Sequence, residues 1–235
     1  MNRGVSKDRD LRDRLLATDL LRELKASYTY KELSKILGLQ ESLLCRYVNG
    51  TTVPSEQQAR DLIEKIKQKN FITKFFLNKI KTFPDSFIDT SELLHYPNML
   101  RLLLEDYLSK YSEVNKVVGI ANNGIPFATL VSVTLNRPLI VVKKHRDSVY
   151  LEYLEESLRE SDSIVSNLYV RKSFISKSDK ILIVDDVMKT GKTIISTTKL
   201  IRKGNGLVKG AFVMVTVGKA PVSLEDVEVE AVFRL

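Results

Sequence analysis

The sequence contains only one cysteine, Cys45. One cysteine excludes an internal disulfide framework and any zinc site built from several cysteines, and it favours a reducing compartment. No segment approaches the run of roughly 20 apolar residues that a membrane span requires. No apolar segment follows the charged residues near the N-terminus, as it would in a secretory signal. We therefore expect a cytoplasmic protein that does not interact with a membrane.

The net charge of +8 is distributed unevenly along the 235 residues. Residues 1–82 contain 17 Lys and Arg against 10 Asp and Glu, whereas residues 83–235 contain 20 against 19. A polyanion such as DNA is attracted to the basic third, because each phosphate that is neutralised releases condensed counterions. On charge alone, a solvated basic surface that keeps the protein in solution explains the surplus equally well.

Leucines at three- and four-residue spacing predict an amphipathic helix from Asp8 to Leu24. Thr29 and Glu32 then form a capping-box pattern at the start of a second helix, which we expect from about residue 30 to residue 37. The first eighty residues therefore begin as an all-α domain.

Gly38 is placed to end the second helix, and only residues 38–40 separate it from a third helix at residues 41–49. Ser55 and Gln58 repeat the capping pattern before a fourth helix. Two short helices joined by a three-residue turn indicate a helix-turn-helix.

The string ELSKILGLQESLLCRYVNGTTVPS, residues 32–55, resembles the helix-turn-helix of the phage-repressor class, and the resemblance covers about residues 10–68. In such modules the second helix of the pair lies in the DNA major groove. The resemblance implies that Gln40, Glu41, Ser42, Leu43 and Arg46 contact base edges and that Lys31, Lys35, Asn49 and Thr51 contact phosphates. A small helical bundle used for dimerisation or partner contact is the alternative.

Residues 71–98 contain five phenylalanines, while Pro84 and Pro97 interrupt any long element. We interpret this segment as a connector or hood. After an apolar helix at residues 99–111, short strands, glycine-bearing turns and helices alternate, which predicts a parallel α/β sheet. The expected organisation is a helix-turn-helix domain at residues 1–70, the connector, and a ligand-binding domain at residues 99–235.

Two predicted strands of that sheet, residues 116–120 and 138–142, flank a turn at residues 121–124 and a helix. Four potentially cationic residues, 143–146, directly follow the second strand. Ligands bind at this edge of open α/β sheets. The acidic segment 150–162 is predicted to be a mobile flap or a solvated helix.

Residues 180–193, KILIVDDVMKTGKT, resemble the phosphoribosyl pyrophosphate (PRPP) motif of type I phosphoribosyltransferases, Asp-Asp-x-x-x-Thr-Gly-x-Thr. The hydroxyls of Thr190 and Thr193 and the free N–H groups at the helix start suit a ribose 5-phosphate. Asp185 and Asp186 suit the ribose 2- and 3-hydroxyls, directly or beside a bound magnesium ion. An ordinary strand-to-helix turn is the alternative, and the spacing excludes a Walker-type phosphate loop.

The resemblance extends to other segments in the family's order, with the turn at 121–124 matching the loop that receives pyrophosphate. Met188-Lys189 and Arg171-Lys172-Ser173 also make the domain similar to the effector domain of bacterial purine-operon repressors, which senses PRPP without transferase activity. The ligand-binding residues so implied are Ala121, Asn122, Asn123, Gly124, Lys143, Lys144, Arg146, Arg171, Lys172, Asp185, Asp186, Val187, Met188, Lys189, Thr190, Gly191, Lys192 and Thr193.

The predicted fold is α/β, with an N-terminal all-α helix-turn-helix domain and a C-terminal type I phosphoribosyltransferase domain built on a Rossmann-like parallel sheet. We expect a homodimeric transcription regulator that binds a double-stranded DNA operator and senses PRPP or a nucleoside monophosphate, with no catalytic residue assigned. The alternative is an active phosphoribosyltransferase of orotate or purine type with an accessory N-terminal domain. Lys189 stands where purine-salvage members often have an acidic residue, and a lysine is a poor general base near neutral pH.

Overall fold

The computed structural model describes residues 3–160, 163–218 and 223–235. The chain divides into two units, Met1–Leu103 and Leu104–Leu235. Within the described ranges, no helix combines the length and the apolar character that crossing a membrane would require.

The first unit is mainly helical. Its helices are α1 (Arg3–Lys25), α2 (Tyr30–Leu37), α3 (Glu41–Val48), α4 (Glu56–Lys67) and α5 (Lys69–Leu77), and a short antiparallel pair, β1 (Lys81–Thr82) and β2 (Ile88–Asp89), precedes a 3₁₀ helix at Ser91–His95. The next helix along the chain is α6 (Pro97–Leu108).

Both predicted capping boxes are confirmed. The Thr29 N–H donates to Glu32 Oε2 at 2.7 Å, and the Glu32 N–H donates to Thr29 Oγ1 at 3.3 Å. Ser55 and Gln58 make the same reciprocal pair at the start of α4. Gly38 is the C-cap residue of α2. It adopts the left-handed conformation, φ 69°, and its N–H donates to the Ser34 carbonyl. Local sequence therefore fixes where these helices begin and end.

The apolar face of α1 is buried only in its second half. Leu20, Leu21 and Leu24 are fully buried against α3 and α4, whereas Leu11 and Leu15 are about half exposed. The helix begins at residue 3, five residues earlier than its periodicity predicts. On α3 the buried residues are Leu44 and Tyr47.

The segment that was predicted to be a connector packs on the helices of the first unit. The Phe71 and Phe75 rings lie 6.3 and 6.1 Å from the Tyr28 ring, and Phe75 packs edge-on against Tyr96 at 4.9 Å. Lys79 Nζ donates to Tyr96 Oη at 3.0 Å. The phenylalanines of residues 71–76 thus complete this core.

The second unit alternates strands and helices. Its elements are β3 (Lys116–Ile120), α7 (Gly124–Leu135), β4 (Leu139–Val142), β5 (Tyr153–Arg159), β6 (Val165–Arg171), β7 (Lys180–Met188), α8 (Lys192–Lys203), β8 (Leu207–Thr216), β9 (Ser223–Leu224) and β10 (Val227–Arg234), with 3₁₀ helices at Ser109–Tyr111 and Lys172–Phe174.

The predicted parallel sheet is confirmed. Its strand order is β4-β3-β7-β8-β10-β9, and every neighbouring pair except β10–β9 is parallel. The chain leaves β3 towards one side of the sheet, to β4, and leaves β7 towards the other, to β8. The carboxyl ends of β3 and β7 therefore form the switch point at which open α/β sheets bind ligands.

The central strands are buried because they are nearly continuous apolar runs, as parallel strands covered on both faces require. On one face the Phe212 ring of β8 lies 5.7 Å from Phe127 of α7 and 6.1 Å from Tyr107. The solvated helix that was one of two predictions for residues 150–162 is wrong for residues 153–159. These form β5, paired antiparallel with β6, and residues 161 and 162 lie outside the described part of the chain.

Candidate functional site

The turn between β7 and α8 presents the predicted phosphate-binding groups. Gly191, the N-cap residue of α8, has φ 77° and supplies no side-chain cap, and the Lys192 N–H makes a long contact of 3.5 Å to the Thr190 hydroxyl. Thr190 is exposed and Thr193 is half-buried. A Cβ on residue 191 would lie 2.6 Å from Leu224 Cδ1, so both the conformation and the space require glycine. An uncapped helix start with nearby hydroxyls is an anion site.

The loop after β3 lies directly beside the paired acids of β7. Gly119 pairs in register with Val184, so the residues that follow β3 run alongside Asp185 and Asp186. A Cβ on Gly124 would lie 2.5 Å from Asp185 Oδ1. Glycine at this position therefore lets the start of α7 approach the carboxylate closely.

These two loops line a cavity of about 550 Å³. Its walls come from β3 and the following loop, from the end of β4, from the β5 strand and from the β7–α8 turn. The lining residues are Ile120, Ala121, Asn122, Asn123, Gly124, Lys144, His145, Leu158, Glu160, Asp185, Asp186, Thr190, Lys192 and Thr193.

The paired acids are electrostatically unusual. Burial, together with the neighbouring Asp186 carboxylate, raises the pKa of Asp185 well above its ordinary value. The Asp186 N–H donates to Asp185 Oδ1 at 3.0 Å. A cation or hydrogen-bond donors placed between Asp185 and Asp186 would offset the repulsion that raises this pKa.

The comparisons with known proteins agree with this geometry. Residues 89–229, more than half of the chain, match the family described as "Phosphoribosyl transferase domain". The chain belongs to the phosphoribosyltransferase family. Its sheet topology and its Asp-Asp-x-x-x-Thr-Gly-x-Thr turn are those expected of a type I domain.

Relatives of this chain include adenine and orotate phosphoribosyltransferases. It is 32% identical to an adenine phosphoribosyltransferase of Christiangramia forsetii over 57% of this chain and 80% of that protein. It is 26% identical to an orotate phosphoribosyltransferase of Methanothermobacter thermautotrophicus over 68% of this chain and 81% of that protein. The adenine phosphoribosyltransferase structure from Rhodothermus marinus superposes with a TM-score of 0.62 at 26% identity, over 71% of this chain and 99% of that chain.

The structure brings ten of the predicted ligand-binding residues together in the phosphoribosyltransferase cavity. They are Ala121, Asn122, Asn123, Gly124, Lys144, Asp185, Asp186, Thr190, Lys192 and Thr193. Gly191 shapes the turn without lining the cavity. Val187 and Met188 belong to β7, where they pair with Val215 and Thr216 of β8, and the exposed Lys189 follows them.

The other predicted cations lie outside that cavity and pair with carboxylates. Lys143 Nζ lies 2.8 Å from Asp147 Oδ1, and the Arg171 guanidinium lies 3.9 Å from the same carboxylate. Arg146 pairs with Glu155 at 2.5 Å, and Lys172 pairs with Glu152 at 3.1 Å. Lys143 and Arg171 line a second, smaller cavity of about 260 Å³. Lys143 and Lys144 are neighbours directly after β4 and point to opposite sides of the chain, which places Lys143 at the smaller cavity and Lys144 at the main one.

Sequence reasoning missed four residues of the main cavity: Ile120, His145, Leu158 and Glu160. Leu158 and Glu160 were missed because the acidic segment was not recognised as a strand. The available signal was the apolar Leu158 between charged neighbours, which is typical of a strand with one buried face. The His145 side chain is 70% exposed at the cavity rim.

The acids of the cavity fit a magnesium ion only in part. Across the part of the chain that the structure describes, no group of three or more His, Cys, Asp and Glu side chains is arranged to hold a metal. Asp185 and Asp186 supply two carboxylates, and Mg²⁺ characteristically takes its remaining ligands from water and substrate phosphates. A magnesium ion that arrives with a phosphorylated ligand therefore suits this donor set.

The residues predicted to bind DNA lie on the surface of α2, α3 and the following turn. All are exposed except Leu43, which is half-buried. Lys31, Lys35 and Arg46 form no ion pair within the described ranges, whereas Arg12 and Arg60 pair with carboxylates on α1 and α4.

Proposed function

We propose that this phosphoribosyltransferase-family chain binds PRPP in the cavity at the carboxyl ends of β3 and β7. The proposal rests on one observation: the turn that suits a phosphate and the acids that suit ribose hydroxyls line the same cavity. The uncapped start of α8 with Thr190 and Thr193 suits a 5-phosphate, and Asp185 and Asp186 in the same cavity suit ribose hydroxyls. A cavity of about 550 Å³ is within the range of small-ligand sites.

Each part of the cavity has a defined task in this proposal. Backbone N–H groups and the two threonine hydroxyls hold the 5-phosphate. The carboxylates accept hydrogen bonds from the ribose hydroxyls, while the loop at residues 121–124 and Lys144 receive the pyrophosphate group. Mg²⁺ bound with PRPP would neutralise phosphate charge beside Asp185 and Asp186.

Calorimetry with PRPP and Mg²⁺ tests this binding. Replacing both hydroxyls, Thr190→Val with Thr193→Val, weakens PRPP binding by roughly tenfold or more, because each lost hydrogen bond to a charged group costs about 1.5–3 kcal/mol. Thr134→Val is the matched control, since its hydroxyl bonds only to the Leu130 carbonyl within α7. Equal affinities of the double variant and the wild type would refute the proposed phosphate site.

Transfer of the phosphoribosyl group to a nucleobase is the use of PRPP that the comparisons favour, since the relatives are named adenine and orotate phosphoribosyltransferases. In such a transfer a base nitrogen bonds to C1 of the ribose, the C1–O bond to pyrophosphate breaks and the base loses a proton. Pyrophosphate release in the presence of PRPP and either adenine or orotate measures it. Release that depends on the base supports transfer, and binding without release contradicts it.

Ligand-controlled transcription is a second candidate, favoured by the N-terminal unit. Its α2 and α3 are joined by a short turn at Gly38, and the surface of this pair carries Lys31, Lys35 and Arg46 without carboxylate partners in the described structure. Cations left unpaired by the protein are available to DNA phosphates. A homodimer would place two copies of α3 in successive major grooves, and PRPP or a nucleoside monophosphate would act as the effector.

Fluorescence anisotropy with a mixed-sequence duplex tests the second candidate. Lys35→Gln weakens binding and lowers the slope of log affinity against log salt by about one, because one phosphate contact is lost. Arg12→Gln is the control, since Arg12 is an exposed cation of α1 paired with Asp8. No binding at low salt, or equal effects of both substitutions, would eliminate DNA recognition through α2 and α3.

A further inference from the structure

The lysine placed to receive pyrophosphate is already engaged by a carboxylate. Lys144 Nζ lies 2.5 Å from Glu160 Oε1, and both residues line the main cavity. The two side chains are 49% and 34% exposed, so the pair is reachable from solvent. An incoming anion therefore meets a lysine whose charge is compensated.

The cavity as a whole has no cationic excess. Its lining contains the lysines Lys144 and Lys192 against the carboxylates of Glu160, Asp185 and Asp186. Lys192 belongs to the turn that suits the 5-phosphate, at the start of α8. Lys144 is thus the lysine of this lining that remains for a second phosphorylated group.

Glu160 is held in place by more than the lysine. The Ser166 hydroxyl donates to Glu160 Oε1 at 2.8 Å, and the Glu160 N–H donates to the Ile164 carbonyl at 3.0 Å. These bonds fix Glu160 at the end of the β5–β6 hairpin. The hydrogen bond from Lys144, followed by that from Ser166, lowers the pKa of Glu160, so it is ionised at neutral pH.

We propose that Glu160 competes with the pyrophosphate group of PRPP for Lys144 and so sets the preference of the cavity between PRPP and ligands that carry only the 5-phosphate. This inference rests on the proposed binding of PRPP. Before pyrophosphate contacts Lys144, the ion pair with Glu160 must open, and the cost of opening is paid by PRPP alone. Ribose 5-phosphate, which lacks the group at C1, leaves the pair intact.

Calorimetric titration of PRPP and of ribose 5-phosphate, each with Mg²⁺, tests the proposal on the full chain. Glu160→Gln keeps the size of the side chain and removes its charge. It raises the affinity for PRPP by about fivefold, the magnitude that an exposed ion pair contributes, and leaves the affinity for ribose 5-phosphate unchanged. Equal gains for both ligands, or no gain for PRPP, would overturn the proposal.

Glu156→Gln is the matched control on β5, the strand that ends just before Glu160, because Glu156 pairs with Lys203 at 2.7 Å and does not line the cavity. We expect it to change neither affinity. The Glu160→Gln gain for PRPP also shrinks in a Lys144→Gln background, because competition for the lysine has been removed. The same gain in both backgrounds would indicate simple charge repulsion and contradict the competition.

The two proposals fail in different ways. If neither the wild type nor Glu160→Gln binds PRPP, the proposed function itself is refuted. If the wild type binds PRPP and Glu160→Gln binds it equally well, PRPP binding stands and the role of Glu160 is refuted. Thermal unfolding of each variant confirms that the comparison is made on folded protein.

Discussion

Single residues determine how closely the backbone approaches the ligand, and Gly191 shows this most sharply. Its φ of 77° is unfavourable for any residue with a Cβ, and such a Cβ would lie within 2.7 Å of two Leu224 atoms. We expect Gly191→Ala to weaken PRPP binding by about tenfold or more, because a displaced turn misaligns the phosphate contacts. Calorimetry measures the change.

Gly218 provides the control for that substitution. It has φ 65°, yet no atom of the described residues lies within 4 Å of the position that a Cβ would take. Gly218→Ala therefore carries the conformational cost, about 1–2 kcal/mol, without the collision. PRPP affinity should not change in Gly218→Ala. A similar loss of affinity in both variants would mean that backbone strain, and not the fit of the turn, matters.

Asp179 makes a pH-dependent contribution to stability. It is 3% exposed and accepts from Lys116 Nζ at 2.8 Å and from the Ser176 N–H at 2.7 Å. Burial alone would raise the pKa of Asp179, but these bonds outweigh it and the pKa is lowered. Its ionised form therefore stabilises the fold above the ordinary aspartate pKa of about 3.9, and this stabilisation is lost as the pH falls through the lowered value.

Asp179→Asn is accordingly expected to lower the free energy of unfolding by about 2 kcal/mol at neutral pH, because a charge-assisted bond to Lys116 is lost. The difference in free energy of unfolding between Asp179→Asn and the wild type shrinks as the pH falls below the ordinary aspartate pKa of about 3.9. Urea unfolding across acid and neutral pH measures it. Asp226→Asn is the control, since Asp226 is 70% exposed in its pair with Arg202. A difference that grows towards acid pH would contradict the assignment.

At the scale of the secondary-structure elements, local sequence predicts where some helices begin and fails to predict where others begin. The capping boxes at Thr29 and Ser55 are local patterns, and the structure has both. The start of α6 is different. Pro97 opens it, and the Glu23 carboxylate accepts from the N–H groups of Asn98 at 2.9 Å and Met99 at 2.8 Å. A cap 75 residues away in sequence leaves no local pattern.

Glu23→Ala removes this cap and is expected to reduce the free energy of unfolding by about 1–2 kcal/mol, because the first N–H groups of α6 lose a charged acceptor. Asp19→Ala on the same helix is the control, since Asp19 pairs with Arg22 at the surface. Urea denaturation of the two variants gives the comparison. Equal stabilities of Glu23→Ala and Asp19→Ala would show that the cap contributes nothing measurable.

The β5–β6 hairpin is the element that sequence reasoning failed to predict. Five acidic residues between residues 152 and 162 concealed a strand in which Leu158 alone is fully covered. Their charges are compensated by partners distant in sequence, such as Lys203 for Glu156. Composition suggested a solvated segment because those partners come together only in the fold. The same failure hid Glu160 from the list of candidate residues.

At the scale of the whole molecule, the sequence predicted that the sheet is parallel but did not predict which strands are neighbours. Apolar runs between glycine-bearing turns predicted a parallel sheet, and the paired acids of β7 predicted the ligand edge. The sequence could not show that β3 and β7 are neighbours, because their pairing spans more than sixty residues. That pairing is what joins Gly124 to Asp185 and builds one cavity from two distant loops.

A crystal structure determined with PRPP and Mg²⁺ tests the central claim most directly. The account predicts the 5-phosphate within hydrogen-bond distance of the Thr190 and Thr193 hydroxyls, with the ribose hydroxyls facing Asp185 and Asp186. A saturated crystal in which that turn carries no phosphate, or in which PRPP lies on Lys143 and outside the main cavity, would contradict it.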